Sequence, residues 1–188
     1  MPNVRVLIVT GMPATGKTTL ARELVARYGL AMAAKDLIKE PLLDVLGAAD
    51  AGQSRRLSDA SFAVLFAMAR EWIVSARSSF LLEGNFRPGE HEAALKSALG
   101  SAQVAQILCR VPEAERLARL ANRARNPSRH AGHRFGERES AASPVTGGDG
   151  FLELPSARFV HDGAGGRASG RTVLAAVDHW MNLRAPSP

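Results

Sequence analysis

Gly11, Met12, Pro13, Ala14, Thr15, Gly16, Lys17 and Thr18 follow one another in the pattern G-x-x-x-x-G-K-T. Two glycines at this spacing allow a turn tight enough for successive backbone N–H groups to converge on one point. Such a concavity suits phosphate oxygens. The lysine can reach the β- and γ-phosphates of a nucleoside triphosphate, and the Thr18 hydroxyl is an oxygen ligand of the kind Mg²⁺ accepts. A helix opening here, with Thr19 in its first turn, adds the positive end of its dipole. ATP and Mg²⁺ are the expected ligands. Adenine is favoured over guanine only because no Asn-Lys-x-Asp motif occurs.

Further along, Asp36 stands in Lys35-Asp36-Leu37-Ile38. Phosphoryl transfer to a hydroxyl needs a carboxylate that orients the acceptor and takes its proton. Asp36 suits that role, and it equally suits a helix N-cap. Lys35 reads as a solvated lysine, with a phosphate contact as the alternative. Glu83 ends an apolar run and precedes Gly84-Asn85-Phe86-Arg87. A carboxylate there can hold Mg²⁺ through water, while Asn85 and Arg87 can contact the acceptor. The plainer reading is a charged strand end and a polar turn.

Net charge is +6, and much of it comes from Arg110, Arg116, Arg119, Arg123, Arg125, Arg129, Arg134 and Arg138. Clustered cations point to a polyanionic partner, a triphosphate rather than nucleic acid because no aromatic platform accompanies them. Arg116, Arg119 and Arg123 share one helix face, with Leu117, Leu120 and Ala121 on another. A solvated basic face is expected, for Arg116 above all. Arg123 adjoins an irregular segment of about residues 124–150 that carries Arg129, His130, His133 and Arg134. Arginine forks neutralise phosphate oxygens, and such a lid excludes water. The two histidines lack a nearby cysteine or a third ligand, so zinc is not expected.

Alternating strands and helices must position these groups. Residues 4–10 and 79–83, with 104–109, read as buried strands, with weaker ones at 31–34 and 157–161. Helices are predicted over 18–28, from about 36, over 58–75 with Ser58 as N-cap, over 90–99, from Pro112 to about 125, and over 171–183. Residues 47–54 and 163–170 read as loops. This alternation implies a parallel sheet covered on both faces, with ligands at the carboxyl ends of its strands.

At 188 residues, 46% of them hydrophobic, the chain fits a single domain spanning 1–188. One cysteine, Cys109, allows no internal disulfide. No signal peptide or membrane span is apparent, which points to a cytoplasmic protein without an obligate partner.

With the strand, phosphate loop, Lys-Asp, Glu-Gly-Asn-Phe and arginine-rich segment in this order, the sequence resembles small bacterial P-loop kinases of the AAA-type predicted-kinase group. That group is similar to chloramphenicol phosphotransferase, zeta toxins, adenylylsulfate kinase and the kinase domain of phage polynucleotide kinase. The resemblance implies a P-loop NTPase fold, a three-layer α/β/α arrangement with a five-stranded parallel sheet. It also implies Asp36 as the catalytic base, Arg123 and Arg129 as lid residues on the phosphates, and Arg119 near the adenine. Ala131 stands in the lid signature where proline is usual, and His161-Asp162-Gly163 replaces the usual Asp-Thr after the last strand. The expected activity is transfer of the γ-phosphate to a hydroxyl of a small molecule. The alternatives are a polynucleotide 5′-hydroxyl kinase and a non-catalytic ATP-binding switch or toxin-like protein.

Overall fold

In the computed structural model of the chain, residues 4–76, 78–126, 130 and 150–182 are described. Five strands, β1 (Arg5–Thr10), β2 (Ala31–Ala34), β3 (Phe80–Glu83), β4 (Gln103–Arg110) and β5 (Ala157–Asp162), form one sheet in the order β2-β3-β1-β4-β5. Every pairing is parallel. The helices are α1 (Lys17–Tyr28), α2 (Lys35–Leu46), α3 (Ala51–Glu71), α4 (Glu92–Leu99), α5 (Glu113–Ala124) and α6 (Gly166–Asn182). A π-helical turn, Trp72–Ala76, extends α3.

The three layers follow from chain direction. From β1 to β2 the chain steps one way along the sheet, and from β2 through β3 to β4 it steps back. Right-handed crossovers therefore send α1 to one face and α3 and α4 to the other. Alternation along β1 matches this. Val6 and Ile8 pack with Phe62, Leu65 and Phe66 of α3 and Leu95 and Leu99 of α4. Leu7 and Val9 pack with Leu20 and Leu24 of α1 and Val173 and Val177 of α6. A strand buried on both faces reads as a continuous apolar run, which is what β1 shows.

Register aligns the strand ends that matter. Val9 of β1 pairs with Glu83 of β3, and Glu83 pairs with Ala34 of β2. The residues that follow, from Thr10 into Gly11, Lys35-Asp36 and Gly84, thus emerge side by side, about 5 Å apart per strand.

Three element boundaries depart from the sequence reading. Residues 47–54 are not wholly a loop, because α3 begins at Ala51. Asp50 caps it, its side chain accepting from Gln53 N at 2.8 Å, while Gln53 Oε1 accepts from Ala49 N at 2.9 Å. The arrangement resembles a capping box, with the glutamine bonded to the amide one residue before the cap. Ser58 is therefore inside α3 rather than its cap, and its hydroxyl donates to Ser54 O at 3.2 Å. Residues 163–170 are mostly helical, since α6 starts at Gly166. There the Ser169 hydroxyl accepts from Asp162 N at 3.0 Å and ties strand end to helix start.

Candidate active site

Gly11 leaves β1 with φ +139°, and a Cβ there would lie 2.1 Å from the Cys109 carbonyl oxygen. Only glycine lets the loop pass so close to β4. Ala14 holds the left-handed conformation, φ 71°, and Gly16 follows with φ 93° before α1 begins at Lys17. The Thr15 hydroxyl donates to Met12 O at 2.8 Å, and Lys17 Nζ donates to the same carbonyl at 2.9 Å. The lysine is folded back into the loop, where burial holds its pKa below the ordinary value and nearby Glu83 opposes that shift. Pro13 lies between these anchors, while Thr18 and Thr19 open α1 with exposed side chains.

Glu83 is 5% exposed and accepts from the Thr18 hydroxyl at 3.2 Å. Burial pushes its pKa up and Lys17 pulls it down. This pair is an all-oxygen donor set at the start of a helix, which fits Mg²⁺. The Cys109 thiol beneath is pushed up to about 12 by burial, so it is a neutral floor to the loop.

Asp36 lies in the first turn of α2 rather than at its cap, which is Ala34. Its side chain is 51% exposed, and Lys35 Nζ sits 3.0 Å from Asp36 Oδ1. Lys35 is not a solvated lysine but a buried one, at 8% exposure. One turn on, Lys39 is buried as well, donating to Ser54 Oγ at 2.9 Å. Lys17, Glu83 and Asp36 share one electrostatic neighbourhood, which Arg123 in the last turn of α5 also reaches.

Phe86, His91, Phe62 and Phe66 form an aromatic cluster that anchors the loop carrying Asn85 and Arg87. His91 Nδ1 accepts from Arg87 N at 2.9 Å, so that nitrogen carries no proton, and burial lowers the imidazole pKa. Arg87 pairs with Glu90 at 2.7 Å and reaches Asp59 of α3 at 3.8 Å. The angle at Arg87 Nε makes no hydrogen bond to Glu90, so that contact is an ion pair alone. Asn85 is part-buried in the same loop. His91 was not singled out by the sequence, where a lone histidine before a helix gives no signal.

The arginine stripe of α5 faces the protein, contrary to the solvated face expected. Arg116 is 1% exposed and grips Glu113 through Nη2 at 2.6 Å and Nε at 2.7 Å. Arg119 is half-buried and donates to Gly163 O at 3.1 Å, Glu115 Oε1 at 2.5 Å and Ala14 O at 3.4 Å. It thereby staples the phosphate loop to the turn after β5. Leu117 and Ala121 take the exposed side instead. Arg129, His133, Arg134 and most of the expected lid lie outside the described residues. His130 Nε2 is 2.9 Å from Asp44 Oδ1 on α2. Among the described residues no helix is long and apolar enough to cross a membrane.

A family model described as an AAA domain matches residues 6–140. No match was found among curated proteins. Among solved structures, a provisionally assigned kinase from Chloroflexus aurantiacus J-10-fl is similar at 26% identity and TM-score 0.77, covering 92% of this chain and 98% of its own. A sugar kinase from Janibacter sp. HTCC2649 aligns at 15% identity and TM-score 0.59, over 93% of this chain and 95% of its own. A gluconokinase from Sinorhizobium meliloti 1021 aligns at 13% identity and TM-score 0.52, over 97% and 100%. The last two likenesses establish the fold. With the sheet order, the phosphate loop after β1 and the family match in agreement, the chain belongs to the AAA-domain family of that model and has a P-loop kinase-like fold.

Proposed function

We propose that the chain is an ATP- and Mg²⁺-dependent phosphotransferase that moves the γ-phosphate to a hydroxyl of a small molecule. The observation that carries this reading is the register of β1, β3 and β2. It sets the Lys17 loop, the Thr18–Glu83 pair and Asp36 at neighbouring strand ends. The loop N–H groups of residues 11–18, Pro13 apart, and the Lys17 ammonium hold the phosphates. Thr18 and Glu83 would hold Mg²⁺, which when bound supplies charge neutralisation at the phosphate oxygens. Asp36 accepts the proton of the acceptor hydroxyl as its oxygen bonds to the γ-phosphorus and the bond to the β-phosphate bridging oxygen breaks, releasing ADP. Arg123, with Arg129, neutralises the transferring group, and Asn85 and Arg87 line the acceptor side. Arg119 supports the nucleotide end.

The sugar kinase and gluconokinase folds suggest polyhydroxylated acceptors as the first to try. A polynucleotide kinase is less well supported, because Arg116 and Arg119 turn inward and leave fewer cations for a backbone. Transfer of labelled γ-phosphate, screened over sugars, sugar acids, nucleosides, antibiotics and oligonucleotides, tests the reading. Label on a small hydroxyl compound supports it. Label only on oligonucleotide ends selects the polynucleotide reading, and tight ATP binding with transfer to no acceptor selects a switch.

A further inference from the structure

Lys35 occupies a position that stability alone does not explain. It is the first residue of α2, where the helix dipole disfavours a cation. It is buried, which costs desolvation and the rotamer freedom of a long side chain. Its partner Asp36 is half-exposed, and a pair with one member in water returns little. Consecutive helical residues do not face one another, so the 3.0 Å contact requires the long Lys35 stem to bend round towards its neighbour. The wall there is cut to admit it. At Gly84 a Cβ would come within 3.3 Å of both Lys35 Cβ and Phe62 Cε1.

We infer that Lys35 is a positioning residue for transfer: its ammonium holds Asp36 by Oδ1 and fixes the carboxylate that receives the acceptor's proton. This rests on the proposed role of Asp36. Lys35 touches no reacting atom. It acts by selecting one side-chain geometry for a carboxylate that is half in solvent.

The test uses the full chain and MgATP, with water, present in every assay, as the acceptor. Phosphate release, MgATP affinity by calorimetry and the melting temperature are measured for wild type, K35M, K35R, D36N and K35M/D36N. K35M is expected to lose about tenfold in kcat, the worth of a charge-assisted hydrogen bond. KM and Kd for MgATP should stay unchanged, and K35R should recover most of the loss. In the D36N background K35M should add no further loss, because Lys35 works through Asp36. K35Q carries the same cycle should K35M melt early. A K35M rate equal to wild type, or a K35M loss of the same size with and without Asp36, overturns the role of Lys35. D36N releasing phosphate at the wild-type rate, or a wild type that neither releases phosphate from MgATP nor transfers it to any acceptor of the screen above, overturns the functional reading beneath it.

Discussion

The two sides of the cleft are held by different means. On the phosphate side, backbone conformation does most of the positioning: Gly11 against the Cys109 carbonyl, Ala14 left-handed, and Lys17 and Thr15 both bonded to Met12 O. On the side proposed to receive the acceptor, side chains position one another: Lys35 on Asp36, His91 on the Arg87 amide, Arg87 between Glu90 and Asp59. Backbone positioning needs particular residues at particular spacings, whatever the substrate. Side-chain positioning can be rewritten residue by residue. A scaffold of this kind can keep its donor while changing its acceptor.

The sharpest way to break this contrast is to remove the cation proposed to grip the phosphates from within the loop. Lys17→Ala should reduce phosphate release by on the order of 10³-fold and weaken MgATP binding, because no other group replaces a preorganised cation at the phosphates. Steady-state rates and calorimetry check both effects. On the other side, Asp36→Asn should lower turnover by on the order of 10²-fold or more, the usual worth of a general base. Its MgATP affinity should match wild type. If Asp36→Asn weakens binding as much as Lys17→Ala, the two sides are not separable.

A single added methyl group gives a finer comparison. Gly11→Ala forces a Cβ against backbone at 2.1 Å in a left-handed region, where nothing flexible can yield. It should cost about 1–3 kcal/mol in denaturant unfolding and disrupt MgATP binding. Gly84→Ala meets only side chains, at 3.3 and 3.4 Å, which can shift by tenths of an ångström. It should leave binding intact and slow turnover several-fold by moving the Lys35 stem. Equal effects at the two glycines would contradict the contrast.

The smallest effect concerns pH. Burial lowers the His91 pKa, so the folded chain binds fewer protons at that site than the unfolded chain does. The stability this contributes is fully present above the ordinary 6.5 and declines as pH falls below it. His91→Asn keeps an acceptor for the Arg87 amide but does not titrate. The melting-temperature advantage of wild type over His91→Asn should therefore shrink on acidification through that range. A constant difference would mean that the imidazole is not held neutral.

The same division explains what the sequence makes legible. The phosphate loop could be read because its chemistry is local: glycines, lysine and threonine within residues 11–18, placed after an apolar run. The parallel five-stranded sheet followed from alternation and from the resemblance, and the structure has it. The cap of α3 was present as Asp50-x-x-Gln53, but the glycines at 47 and 52 masked it as a loop. Burial of Lys35 depends on Gly84, nearly fifty residues away in sequence. The inward turn of Arg116 and Arg119 depends on Glu113, Glu115 and the turn at Gly163, and composition alone favours the opposite face. His91 needs three phenylalanines from two other segments to become a neutral anchor. Long-range packing decided each of these, and no short pattern encodes it.

Whether residues 11–18 grip a nucleotide through Lys17 can be read from calorimetric titration of MgATP into wild type, Lys17→Ala and Asp36→Asn. Saturable one-site heat is expected in wild type and Asp36→Asn alike, with the heat lost or greatly weakened in Lys17→Ala. Heat that is absent from folded wild type, or insensitive to Lys17, would contradict that grip.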